Sequence, residues 1–125
     1  MLIDDSNGRS KNMAFETSVK VVGDAITYRF NSNLKKYALG DTGFVTNNAG
    51  AYVMQRSLEP AKGLANAIKL KVVVDKNLTG VKIKTVNPNG AATVNIFKHP
   101  DNEEMVTLYR FYLDELVSRE ILSVD

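Results

Sequence analysis

Four lysines at alternating positions carry the strongest chemical signal in this sequence. Lys69 and Lys71 lie in "AIKLKVVVD", and Lys82 and Lys84 in "VKIKTV". Ammonium groups gathered on one face can hold a small anion, follow a phosphate backbone, or simply face water. Both stretches alternate with apolar residues, which is the period of a β-strand, and "KNLTG" between them reads as a hairpin turn. With 75–80 as the loop, antiparallel pairing sets Lys71 near Lys84 and Lys69 near Val86. Slipping the register by two sets Lys71 opposite Lys82 and Lys69 opposite Lys84. Lysines meet either way, and a directly opposed pair costs up to about 1 kcal/mol. The bland reading is a solvated face whose long side chains splay apart. The functional reading makes Lys69, Lys71, Lys82 and Lys84 a binding site for a small anionic ligand or a protein partner. A nucleic-acid-binding face is the alternative, although Lys69, Lys71, Val73, Lys82, Lys84 and Val86 include no aromatic platform for bases.

The other reactive residues are sparse. His99, in "FKHPDNEE", is the only histidine and the only side chain whose ordinary titration falls near neutrality. Just before a helix start it could serve as a general acid or an anion ligand; its ordinary reading is a loop residue. "QRSLEP", residues 55–60, delivers Arg56 and Glu59 and then Pro60, which suits local pairing and the end of a strand. The acidic pairs Asp4-Asp5 and Glu103-Glu104 read as tail and helix cap. There is no G-x-S-x-G, no P-loop and no G-x-G-x-x-G. Without cysteine there are no disulfides, thiolate ligands or cysteine nucleophiles, and a lone histidine excludes a histidine-based metal cluster. We assign no catalytic residue, metal or cofactor, and expect a non-catalytic accessory or binding role.

The elements that must position the lysines follow from periodicity. "FETSVKVV" and "AITYRF" alternate, with Phe15, Val19 and Val21 on one side, then Ile26, Tyr28 and Phe30; Gly23-Asp24 between them is a short hairpin signal. "NSNLKKYALG" predicts a helical turn with Ser32 or Asn33 before it and Gly40 after it. "FVTNNAGAYVMQRSL" predicts a second hairpin turning at 47–50, the lysine hairpin is the third, and "ATVNIF" follows the turn "NPNG" as a last strand. From Asp101 the period changes. Asp101 as N-cap and Glu104 three residues later make a capping-box-like pair. Met105, Leu108, Tyr109, Tyr112, Leu113, Leu116 and Val117 then form one apolar stripe, with Phe111 outside it. The expected fold is α+β: two mostly antiparallel β-sheets packed against a single long C-terminal helix.

At 125 residues the chain fits one domain, expected over 13–125, with 1–12 as a polar N-terminal tail and Met13 a candidate start. The net charge of +2 is unevenly spread: seven acids and two bases from Asp101 onward, against twelve bases and five acids over 13–100. A basic body with an acidic C-terminal segment concerns partners more than fold. No stretch is long and apolar enough to span a membrane, and the start lacks a signal peptide's apolar run. A cytoplasmic setting is expected, and the absence of cysteine fits it.

"MAFETSVKVVGD", "QRSLEP", the lysine hairpin and "NIFK" before the last helix together resemble a family of small uncharacterised proteins from Gram-positive bacteria, labelled as putative amino acid metabolism. The resemblance runs from about Met13 to the C-terminus. It implies two β-sheets against a single helix, and a remote fold likeness to prokaryotic S-adenosylmethionine decarboxylases. Those enzymes cut themselves at a Glu-Ser bond and use a nearby Cys and His. This chain has no Glu-Ser dipeptide and no Cys, so the likeness carries fold and context without that chemistry, and no pyruvoyl-type self-processing is expected.

Overall fold

The computed structural model describes residues 14–124, so the expected tail, with Asp4 and Asp5, lies outside the described residues. In chain order the elements are β1 (Ser18–Val19), β2 (Tyr28–Phe30), a short helix α1 (Lys36–Asp41), β3 (Val45–Thr46), β4 (Tyr52–Ser57), β5 (Lys69–Val74), β6 (Val81–Val86), the long helix α2 (Glu103–Ser118) and β7 (Leu122–Val124). They form two antiparallel sheets, one ordered β1-β2-β7 and one ordered β3-β4-β5-β6. Both share one apolar core with α2, as the sequence pattern implied.

Alternation builds the larger sheet. Leu70, Val72 and Val74 of β5 and Val81 and Ile83 of β6 are buried on the inner face, so Lys71, Lys82 and Lys84 necessarily point outward. The turns carry their own chemistry. Asn47 Oδ1 accepts the N–H groups of Ala49 (2.9 Å) and Ala51 (3.0 Å), and Gly50 closes the β3–β4 turn at φ +89°. The apolar stripe of α2 is also where periodicity put it: Met105, Tyr109, Leu113 and Leu116 are buried, Leu108, Tyr112 and Val117 pack beside them, and Phe111 is exposed.

A close backbone approach links the two sheets. Glu16 exchanges both backbone hydrogen bonds with Val81 of β6 (3.0 and 2.8 Å), and one residue later the Thr17 carbonyl accepts the N–H of Phe30 in β2 (2.8 Å). Gly80 permits this. A Cβ there would lie 3.1 Å from the Cβ of Phe15 and 3.2 Å from the Glu16 carbonyl oxygen.

Several local expectations are corrected. Gly23-Asp24 is not a tight hairpin turn: β1 and β2 are joined across 20–27, and Asp24 turns inward. Helix α1 starts after Lys35 without a side-chain cap, and Gly43 (φ +92°), not Gly40, takes the left-handed conformation after it. "ATVNIF" makes only one bridge, Val86 to Thr93, before a 3-10 turn at Ile96–Lys98, because the Asn95 side chain accepts the Phe97 N–H and draws the backbone into a turn. Asp101 is not the cap of α2. It has φ +53°, the cap position falls to Asn102, and the Asn102 amide donates backward to the carbonyls of Ile96 and Phe97 (both 3.0 Å). Finally, β7 follows α2 and pairs with β2, Leu122 opposite Phe30; it is too short to show an alternation.

Candidate functional site

The lysine hairpin adopts the first of the two registers. Lys71 is opposite Lys84, Lys69 opposite Val86, and Val73 opposite Lys82. The four lysines nevertheless do not act together. Lys69 is only 7% exposed, and its ammonium donates to the Pro88 carbonyl at 3.0 Å, so it holds the 87–90 turn instead of facing an open site. Lys71, Lys82 and Lys84 remain and line a concavity of about 570 Å³ on the outer face of the larger sheet.

Val53, Val73 and Val86 supply apolar surface to this concavity, and Phe15 joins them from the N-terminal segment. Pattern reading had put Phe15 on the side of Val19 and Val21. The crossing from β6 to β2 instead leaves Phe15 over Lys82, with its ring centroid 4.4 Å from the ammonium. So the face does have one aromatic, brought by a neighbouring segment and invisible in the hairpin itself. One acid lines the concavity, Asp75, but its carboxylate accepts from the Thr79 N–H (2.6 Å), the Thr79 hydroxyl (2.7 Å) and the Gly80 N–H (2.8 Å). Burial works against that charge, yet these bonds outweigh it and hold the Asp75 pKa below its ordinary value.

Among the described residues, no carboxylate lies within ion-pairing distance of Lys71, Lys82 or Lys84. The electrostatic result falls on Lys82. Partial burial lowers its pKa, and the charges of Lys84 and Lys71 lower it further. A bound anion would supply the missing counter-charge.

The other candidates have structural duties. In "QRSLEP", Arg56 donates to the carbonyls of Thr42 (2.7 Å) and Gln55 (3.0 Å), tying β4 to the end of α1, and a Cβ at Gly43 would overlap its guanidinium. Glu59 accepts the Ile68 N–H (2.9 Å) and pairs with Lys62 (3.1 Å). That backbone bond is the main reason its pKa is lowered, with burial opposing it. Pro60 opens a 3-10 turn where the ladder stops. The Nδ1 of His99 lies 2.8 Å from the Pro100 carbonyl, in the loop before α2. No cluster of three or more His, Cys, Asp or Glu among the described residues could hold a metal ion.

One polar cluster has no trace in the local sequence pattern. The buried carboxylate of Asp24 accepts the Tyr109 hydroxyl (2.6 Å), both terminal nitrogens of Arg110 (3.0 and 2.9 Å) and the Ile26 N–H (2.9 Å). Arg110 also donates to the Tyr28 hydroxyl at 2.7 Å. Burial pushes the Asp24 pKa up, but the bonds from Arg110, Tyr109 and Ile26 prevail and leave it lowered. Burial raises Tyr109, and its bond to Asp24 raises it further. The carboxylate is paired on both oxygens, so this is a clamp between the 20–27 loop and α2.

A family profile described as "Putative amino acid metabolism", DUF1831, matches residues 13–123. The chain belongs to the DUF1831 family. A crystal structure of a DUF1831 family protein from Lactobacillus plantarum is similar to it over 90% of this chain and 99% of that one, with 42% identity and a TM-score of 0.82. The two-sheet, one-helix architecture is thus common to this DUF1831 chain and a solved relative, and that relative comes from a Gram-positive bacterium. No functionally curated protein matches the chain. No helix among the described residues is long and apolar enough to cross a membrane.

Proposed function

We propose that this DUF1831 protein binds a small organic anion in the concavity of Lys71, Lys82 and Lys84, as a binding or accessory protein of amino acid metabolism. The observation that carries the reading is that, among the described residues, no carboxylate is ion-paired with Lys71, Lys82 or Lys84, which line one concavity with apolar residues. Sheets normally avoid opposed like charges, so this arrangement makes sense where a ligand completes it. The apolar surface of Val53, Val73 and Phe15 suits a ligand with a hydrocarbon part beside its charge. The family label supports a small acid over a polymer, and one phenyl ring is short of the stacking platform that single-stranded nucleic acid needs.

The test is thermal denaturation in sulfate or a small carboxylate at low ionic strength. The wild type should gain melting temperature, and added sodium chloride should erase the gain, because exposed charges are screened over about 8 Å at physiological salt. The Lys71→Ala/Lys84→Ala double variant should lose the response. If both proteins respond alike, the lysines are only a solvated face. Salt-sensitive binding of mixed oligonucleotides without a response to small anions would favour the nucleic-acid reading.

A further inference from the structure

The concavity sets Lys82 beside two further lysines, the opposed pair Lys71 and Lys84. We infer that Lys82 captures small anionic carbonyl compounds, α-keto acids foremost, as a reversible imine while Lys71 and Lys84 hold the carboxylate. The inference rests on the anion-site reading and adds a chemistry to it.

The strand register arranges the three roles. Lys71 and Lys84 are directly opposite across β5 and β6, so their ammonium groups can approach one carboxylate from two sides. Lys82 is two residues along β6 on the same outer face, diagonal to Lys71, at a separation of roughly 7–8 Å between backbone positions. A carboxylate held by the opposed pair can then present its neighbouring carbon to the Lys82 chain. In an α-keto acid that neighbour is the electrophilic carbonyl carbon. Val53 and Val73 give its side chain an apolar surface to lie on.

Only a neutral amine attacks a carbonyl, and a lysine is activated when it is partly desolvated beside other cations. Lys82 meets both conditions: burial first, then the charges of Lys84 and Lys71, depress its pKa. The Phe15 ring works the other way, since its face favours the ammonium over the neutral amine. In the reaction, the Lys82 nitrogen forms a bond to the carbonyl carbon, and the nitrogen's proton passes to the oxygen to give a carbinolamine. The C–O bond then breaks, water leaves, and an imine remains. Nothing is oxidised or reduced, and water reverses the step. A monocarboxylate leaves the Lys71–Lys84 pair with net positive charge, so Lys82 stays activated. A dianion cancels that charge, so monoanionic keto acids should react better.

The experiment is reductive trapping. Wild-type protein is incubated with 2-oxoisovalerate or pyruvate and cyanoborohydride, then analysed by intact mass and peptide mapping, with lactate as the control without a carbonyl. The expected result is one adduct per chain, on Lys82, that disappears in Lys82→Arg and falls in Lys71→Met. Circular dichroism verifies that both variants are folded. An adduct scattered over the surface lysines, or retained in Lys82→Arg, overturns the inference. A wild type whose melting temperature rises with sulfate but which yields no adduct overturns the imine and leaves the anion site standing. A wild type that shows neither response overturns both.

Discussion

The carboxylate of Asp24 and the ammonium of Lys82 both sit partly withdrawn from water, and the chain treats them in opposite ways. Around Asp24 every partner is present. The Tyr109 hydroxyl, the Arg110 guanidinium and the Ile26 N–H complete its hydrogen bonds, and the opposing charge lies 2.9 Å away. Around Lys82 the charges of Lys84 and Lys71 have the same sign, and among the described residues no carboxylate is ion-paired with it. A protein can stabilise itself only with groups it supplies, so the first cluster is complete without a ligand and the second is not. This difference supports the proposal that the lysine face binds an anion, whereas the clamp holds the fold together.

The comparison breaks most decisively at the clamp. Asp24→Ala strands Arg110 and removes the acceptor from the Tyr109 hydroxyl; losing one partner of a buried pair costs about 3–5 kcal/mol. The Asp24 side chain is 1% exposed but Arg110 is 27% exposed, so a loss near 3 kcal/mol is expected in urea denaturation. The pH dependence has a definite sign. Because the folded pKa of Asp24 is lowered, its contribution is fully present above the ordinary carboxylate value near 4. As pH falls below that value the unfolded chain takes up the proton first, and the contribution disappears as pH passes through the folded pKa. Stability of the wild type should therefore fall more steeply as pH drops below the ordinary carboxylate value of about 4 than that of Asp24→Ala. Equal acid limbs would show that the clamp is not the source of the dependence.

Helix α2 supplies a middle case, since one of its faces is sheltered and the other is not. Leu116 is 0% exposed, and Leu116→Ala should cost about 2–5 kcal/mol through lost burial and the cavity left behind. Phe111 is 61% exposed, with its ring in a T-shaped contact with Tyr112, and Phe111→Ala should cost clearly less. Chemical denaturation of the two variants measures the contrast, and equal losses would contradict the orientation of α2.

These regions also differ in how readily the sequence reveals them. The stripe of α2 and the facing of β5 and β6 depend on the period of side chains along one element, so they were legible. The turn at 47–50 was legible through Asn47 and Gly50, whose chemistry is local. The clamp was not, because Asp24 and Tyr109 are 85 residues apart and each has an ordinary local reading, as a turn residue and a core aromatic. Lys69 shows the same limit. Its alternation put it correctly on the lysine face, but only the fold brings the Pro88 carbonyl to its ammonium. Phe15 entered the site because its segment leaves β6 after a single bridge, and no periodicity encodes such a crossing.

The smallest expected effect is also the one that separates the two clusters most sharply. Removing a member of a satisfied network destabilises, whereas removing a member of a repelling set should do the reverse. Lys84 is directly opposite Lys71 and contributes to the lowered pKa of Lys82. Lys84→Ala in the absence of any anion should therefore leave the protein as stable as wild type or more stable, by up to about 1 kcal/mol. The gain has an opponent, because the lysine stem covers apolar surface that alanine does not. Salt distinguishes the two contributions. Relief of repulsion should shrink as sodium chloride rises, since screening already softens it in the wild type, while loss of covered surface should not. Urea denaturation of both proteins at low and high salt makes the comparison. A variant less stable than wild type by the same amount at both salt concentrations would mean that Lys84 acts through its stem, and the contrast with the Asp24 clamp would no longer hold.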